Sequence, residues 1–146
     1  MNIDCKISAA EPGEIDSILK IEKESFKSSW SIEGLLSELS SPNSHFIVAE
    51  LDGEIVGYAL SWLVVGDEIH LLKLAVSSGF RKRGIARALV AHIINNFKAA
   101  SVILLEVREK SIEARSFYKK LGFIENGMRK NYYPDDNAIL IEKKLR

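Results

Sequence analysis

Apolar residues recur along this chain at two spacings, and each change of spacing marks a new element. "MNIDCKISA" alternates loosely and predicts a first strand. Over residues 10 to 26 the spacing lengthens. Ile15, Ile18, Leu19 and then Ile21 or Glu22 recur as on a helix, with Pro12 near its start and acidic residues in the first turn. "WSIEGLLSELS" predicts a short second helix, with Ser31 as N-cap and Leu35, Leu36 and Leu39 on one side. "HFIVAE" and "EIVGYALSWLVV" then flank "LDGE", whose Asp-Gly suits a tight turn with positive φ. A second turn at Gly66-Asp67 leads into "EIHLLKLAV", completing a three-stranded antiparallel meander.

Beyond the meander the helical spacing returns. "RGIARALVAHIINNF" sets Ile85, Leu89, Ile93 and Phe97 four apart, an amphipathic helix. "SVILLEVR" reads as an apolar strand, and "SIEARSFYKKLGF" as a helix burying Ala114, Phe117, Tyr118 and Leu121. Lys119 and Lys120 fall at its C-terminus, where cations are favoured, and Gly122 follows as a cap. "ENGMRKNYYPDDNAILIEKKL" closes with two strands around Tyr-Tyr-Pro-Asp-Asp. No repeat, low-complexity tract or linker divides residues 1 to 146. The expected architecture is one α+β domain, a mostly antiparallel sheet with a single right-handed β–α–β crossover.

Charge and composition narrow the partners. Twenty basic and twenty acidic residues cancel, which argues against a general nucleic-acid or membrane-surface binder. The one cysteine, Cys5, rules out an internal disulfide framework and fits a reducing compartment. "MNIDCKISAAEPGE" has no apolar core after a basic region, so nothing signals export. The run "IVGYALSWLVV" is too short to span a bilayer and reads as a buried strand. A cytoplasmic location is the expectation.

Three positions carry candidate chemistry. Arg81, Lys82 and Arg83 precede a helix, where the partial positive charge of the N-terminus repels them. A bound anion would reverse that penalty, because exposed N–H groups there form an anion site. Gly84 and the small Ala86 would let a phosphate approach the backbone. The competing reading is a solvated charge run. The chain contains neither G-x-G-x-x-G nor the P-loop pattern, which argues against a dinucleotide or nucleoside triphosphate fold. In "LLEVR", Glu106 continues the strand face of Val102 and Leu104 near a carboxyl end, where ligands tend to bind. A carboxylate partly removed from water can serve as a general base, and the alternative is an ion pair with Arg108. Tyr118 is either a core tyrosine or a proton donor.

In order and spacing these motifs resemble the GNAT superfamily of acyl-CoA-dependent N-acetyltransferases over almost the whole chain. Arg81, Gly84 and Ala86 match its Arg/Gln-x-x-Gly-x-Gly/Ala phosphate loop. "LEVR", "FYKKLGF" and "RKNYYP" resemble the branch that acetylates the N-terminal alanine of a small-subunit ribosomal protein, as does "SWS" at 29 to 31. The resemblance implies a GNAT fold of six to seven strands and direct transfer from acetyl-CoA to an amine. Leu74, Ala75 and Val76 would offer main-chain groups to the pantetheine arm. Residues 81 to 86, Ile85 included, would hold the pyrophosphate. Glu106 would be the base, Tyr118 the acid, and Trp30, Tyr132 and Tyr133 would help form the acceptor groove. Ser111 stands where the family often has asparagine, and could cap the next helix and contact the cofactor.

The remaining candidate residues carry weaker signals. Cys5 lacks a paired histidine, and His45, His70 and His92 lack metal-ligand spacing, so no metal is expected. Glu68 and His70 share a strand face and could line the groove, or be ordinary strand residues. Asp135 and Asp136 could attract a basic acceptor, or simply make a turn. Besides a protein N-terminal acetyltransferase, the sequence admits a small-molecule amine acetyltransferase and a non-catalytic acyl-CoA-binding module.

Overall fold

A computed structural model describes residues 5 to 64 and 67 to 145. The start of the first predicted strand and Gly66 of the second predicted turn lie outside these residues. In chain order the elements are β1 (Lys6–Ala9), α1 (Ile15–Ser25), α2 (Ile32–Ser40), β2 (Ser44–Leu51), β3 (Glu54–Val64), β4 (Glu68–Val76), α3 (Ile85–Asn96), β5 (Val102–Arg108), α4 (Ile112–Lys120), β6 (Ile124–Tyr133) and β7 (Asp136–Lys144). They build one seven-stranded sheet of order β1-β2-β3-β4-β5-β7-β6. The meander β2-β3-β4 is antiparallel, and β4 and β5, joined through α3, are parallel. The expected hairpin of the last two strands forms, but β7 inserts between β5 and β6. The connection through α4 is therefore a second crossover, which local patterning does not reveal.

Alternation along the strands feeds two cores on opposite faces. Ile47 and Ala59 join Ile85, Leu89, Ile93 and Tyr118 beneath α3 and α4. Val48, Tyr58 and Leu60 join Ile15, Ile18, Ile21 and Leu35 beneath α1 and α2. Ser31 caps α2 as expected, accepting from the Gly34 N–H at 3.1 Å. Leu36 departs from expectation. It is 38% exposed while Leu35 is fully buried, because adjacent helical positions are about 100° apart and the narrow interface takes Leu35. Gly57 sets the seat of α3: a Cβ there would lie 3.1 Å from the Ala75 carbonyl oxygen and 3.3 Å from the Ile85 side chain. Its absence lets the first turn of α3 lie against β3 and β4, beside the end of β4.

Candidate active site

The site begins with a parting of strands. β4 and β5 are in register from Glu68 opposite Val102 to His70 opposite Leu104, and their ladder stops there. The remaining carboxyl-terminal halves, Leu71–Val76 and Leu105–Arg108 by number, flank an opening in the sheet. A bulge against β3 leaves Leu72 as an extra residue between Leu71 and Lys73. It transfers the odd-numbered side chains of β4 from one face to the other. Ile69 and Leu71 pack under α3, whereas Ala75 packs under α1. Leu74, Ala75 and Val76 thus form the β4 side of the opening. Ala75 and Val76 are buried and Leu74 half-buried, so their main chain is the part available to a ligand.

At the end of β4 the cationic loop enters α3. Gly84 is the N-cap with φ 88° and ψ 5°, a left-handed conformation that glycine adopts without strain. Lys82 is also left-handed, at φ 63°. Arg81, Lys82 and Arg83 are exposed, and the first turn of α3 holds no acidic residue. The Arg83 guanidinium lies 5.3 Å from the Phe80 ring centre. Ile85 is buried in the core, so only its backbone can meet a ligand, and Ala86 is half-buried. Arg81 also has a structural task. Its Nε donates to the Val76 carbonyl at 3.0 Å and its Nη2 to Ser25 Oγ at 3.2 Å, so it braces the loop against β4 and α1. Ser111 occupies the N-cap of α4 but makes no side-chain cap hydrogen bond.

Across the opening, Glu106 faces the α1/α2 side, since Ile103, Leu105 and Val107 pack into the other core. The expected alternative partner, Arg108, is engaged elsewhere: its Nη1 lies 2.5 Å from Asp135 Oδ1, and its guanidinium stacks 4.2 Å from the Tyr133 ring centre. The cation nearest Glu106 is Arg129, whose Nε is 3.5 Å from Oε2, too long for a good hydrogen bond. Glu106 Oε2 is buried and accepts no hydrogen bond among the described residues. Tyr132 and Tyr133 meet edge to face at 5.0 Å. Burial, and then the charge of Glu106, raise the Tyr133 pKa, which places that phenol in the electrostatic range of the carboxylate. Asp135 also accepts from Lys27 Nζ at 2.7 Å. This bridge joins the β6–β7 turn to the α1–α2 connector, residues 26 to 31, which carries the half-buried Trp30.

Tyr118 lies on the opposite face, packed edge to face against Phe117 and Phe123. Burial pushes its pKa well above the ordinary tyrosine value, so its hydroxyl stays protonated. The structure shows no contact between Tyr118 and Glu106, and the opening separates the faces they occupy. Glu68 is not brought to this group. It sits at the start of β4, roughly 20 Å along the strand from Leu74, with His70 Nε2 3.9 Å away.

Comparison with known proteins identifies the family. The acetyltransferase (GNAT) family model matches residues 15–123. The chain belongs to this family. It is 36% identical over 135 residues to an uncharacterised N-acetyltransferase of Methanocaldococcus jannaschii, covering 90% of this chain and 86% of that one. It is 30% identical over 130 residues to the [ribosomal protein bS18]-alanine N-acetyltransferase of Escherichia coli K12, covering 88% and 86%. The crystal structure of Ard1 from Thermoplasma volcanium superposes with TM-score 0.93 at 27% identity, covering 99% of both chains. The chain is therefore an N-acetyltransferase with the GNAT fold.

Within this GNAT domain one group escaped sequence reasoning. Glu22, fully buried in α1, accepts from the Tyr58 hydroxyl, from the Trp30 N–H at 2.7 Å and from Lys73 Nζ at 2.9 Å. The Lys73 ammonium lies 4.0 Å from the Phe26 ring centre and 5.1 Å from that of Trp30. The available signals were a glutamate on an apolar helical stripe and a lysine inside "HLLKLAV". Each reads singly as an interruption, and only the bulge in β4 turns Lys73 toward α1. Among the described residues, no helix is long and apolar enough to cross a membrane.

Proposed function

We propose that this N-acetyltransferase moves the acetyl group of acetyl-CoA directly to a protein N-terminal amine, with the N-terminal alanine of a small-subunit ribosomal protein as the favoured acceptor. The observation that carries the reading is the opening between β4 and β5, flanked by Leu74–Val76 and the α3 N-terminus on one side and Glu106 on the other. The printed activity of the Escherichia coli relative supports the choice of acceptor.

The loop fits an anionic cosubstrate. Its backbone N–H groups, the left-handed Gly84 and the exposed Arg81, Lys82 and Arg83 favour a pyrophosphate, and Arg81 also braces the loop. Acetyl-CoA supplies a thioester carbonyl open to attack. The main chain of Leu74, Ala75 and Val76 holds the pantetheine arm, and Ser111 lies at the adjacent start of α4. Glu106, with an oxygen accepting no hydrogen bond, takes a proton from the α-ammonium through water, freeing the amine lone pair. A C–N bond then forms as the C–S bond breaks. Tyr118, protonated by virtue of its burial, donates to the departing sulfur. Trp30, Tyr132 and Tyr133 line the acceptor approach. The acceptor N-terminus and acetyl-CoA are the only partners this chemistry needs, with no nucleic acid or metal.

The test is thiol release from acetyl-CoA against a panel of N-terminal peptides and small amines. An Ala-starting ribosomal peptide should turn over fastest. Preference for small amines would replace the protein acceptor, and tight CoA binding without release would make the domain a binding module. Glu106→Gln should cut kcat by about 10²- to 10⁴-fold, most severely below the amine pKa of roughly 8, while CoA affinity stays within about twofold. An unchanged rate would remove Glu106 from the base role.

A further inference from the structure

Burying a carboxylate and an ammonium together costs several kcal/mol of desolvation per ion, roughly balanced by their attraction, and an apolar pair of similar volume commonly serves stability as well. Glu22 and Lys73 are paired and buried on the face whose core holds Ile18, Leu35, Phe46, Leu60 and Tyr58. Packing alone does not require them. Glu22 does one thing that a leucine could not: it accepts the Trp30 N–H, eight residues on, in a connector with no regular secondary structure.

The arrangement has direction. Lys73 immediately precedes Leu74, at the β4 side of the opening, and the bulge turns it under α1. Its ammonium is bracketed by the Phe26 and Trp30 rings, at the two ends of the connector. Tyr58 on β3 reaches the second carboxylate oxygen. Burial, then its hydrogen bond to Glu22, push the Tyr58 pKa far up, so this phenol acts only as a donor. One carboxylate therefore ties two strands, a helix and the connector to a single point. The last turn of α1 also meets the cosubstrate loop, through Glu24 accepting from Ser78 N–H at 2.9 Å and Ser25 accepting from Arg81.

We propose that Glu22, with Lys73 and Tyr58, is a positioning group that fixes the connector bearing Trp30 and so sets the acceptor wall relative to the end of β4. Glu22 does not touch the reacting atoms. It acts through Trp30, and the inference rests on the peptide-acceptor reading above. Its loss raises KM for the peptide while acetyl-CoA binding is retained.

The decisive variant removes the three side chains together, so that only the part-buried Trp30 N–H loses its acceptor. In Glu22→Leu/Tyr58→Phe/Lys73→Met every buried polar partner becomes apolar, a replacement that folds tolerate. Thermal stability and the Kd for CoA should stay near wild type, and peptide KM should rise about tenfold or more, a loss of roughly 1.4 kcal/mol in binding. Glu22→Gln/Lys73→Met, which restores an oxygen for the Trp30 N–H, should recover most of that loss. A triple variant with wild-type peptide KM overturns the proposal, as does a uniform loss of CoA and peptide binding. Amide hydrogen exchange on the wild-type chain decides the point even if a variant fails to fold. The Trp30 amide should exchange at least about tenfold more slowly than those of Lys27 and Ser28, and equal rates overturn the clamp. If the wild-type chain releases no thiol with any peptide, the functional reading fails, and the exchange rates still judge the clamp itself.

Discussion

Beneath α3 and α4 no charged side chain is buried among the described residues, whereas beneath α1 and α2 a carboxylate, an ammonium and a phenol are buried together. The two cores meet the same sheet and differ in what they must place. On the first face, packing of Ile85 and Leu89 against Gly57 seats a helix whose N-terminus is the proposed pyrophosphate site. A rigid apolar contact is enough for that. On the second face the proposed acceptor wall is an irregular connector, which has no ladder of its own to hold its backbone. A buried acceptor supplies the missing bond. The contrast teaches that burial of charge here follows the need to fix a loop.

The comparison can be broken most sharply at Glu22. Glu22→Leu alone leaves Lys73 without its counter-charge and the Tyr58 hydroxyl without its acceptor. Unfolding free energy by urea denaturation should fall by about 3–5 kcal/mol. A drop below about 1 kcal/mol would mean that Lys73 finds water, and that the two cores do not differ in kind. On the other face the matching change is Leu89→Ala, expected to cost about 2–5 kcal/mol through the cavity it leaves. Leu89→Met should cost less than about 1.5 kcal/mol, because an apolar core tolerates conserved volume. The sharpened comparison is that volume decides at Leu89 and charge decides at Glu22.

The same contrast explains what could be read from the chain. The α3/α4 face was legible because its signals are local. A four-residue spacing predicts α3, and "SFYKKLGF" predicts a helix with its cap. The opening between β4 and β5 was not, since register ends at His70 and Leu104 without any residue that announces it. Nor was the insertion of β7, which is set by packing of the whole sheet. The charge of Arg81 is plain in the sequence, and the fold adds the hydrogen bonds of its guanidinium to Val76 and Ser25. Charge type was legible from the sequence, and its partner depended on the fold. Glu106 and Arg108 show the same point, for their shared strand face holds while Arg108 turns to Asp135 and Arg129 takes the place beside Glu106.

The smallest expected effect tests whether surface charge also holds the connector. Lys27 and Asp135 bridge the connector to the β6–β7 turn at 2.7 Å, with side chains 74% and 46% exposed. Contacts to Lys27, and then to Arg108, hold the Asp135 carboxyl well below the ordinary carboxylate range. Because that pKa is depressed on folding, any stabilisation is complete above the ordinary Asp range. It is lost as pH falls through and below it. Such exposed pairs are weak and screened by salt. Lys27→Ala should therefore leave the melting temperature at pH 7 unchanged within error, in contrast to Glu22→Leu. The bridge nonetheless spans the two sides of the proposed acceptor approach, so its readout is access. Peptide KM for the wild-type chain should vary with ionic strength more than that of Lys27→Ala, whose bridge is already absent. Equal salt dependence in the two proteins would leave Glu22 as the element that positions the connector, with the Lys27–Asp135 pair a solvated contact at the rim.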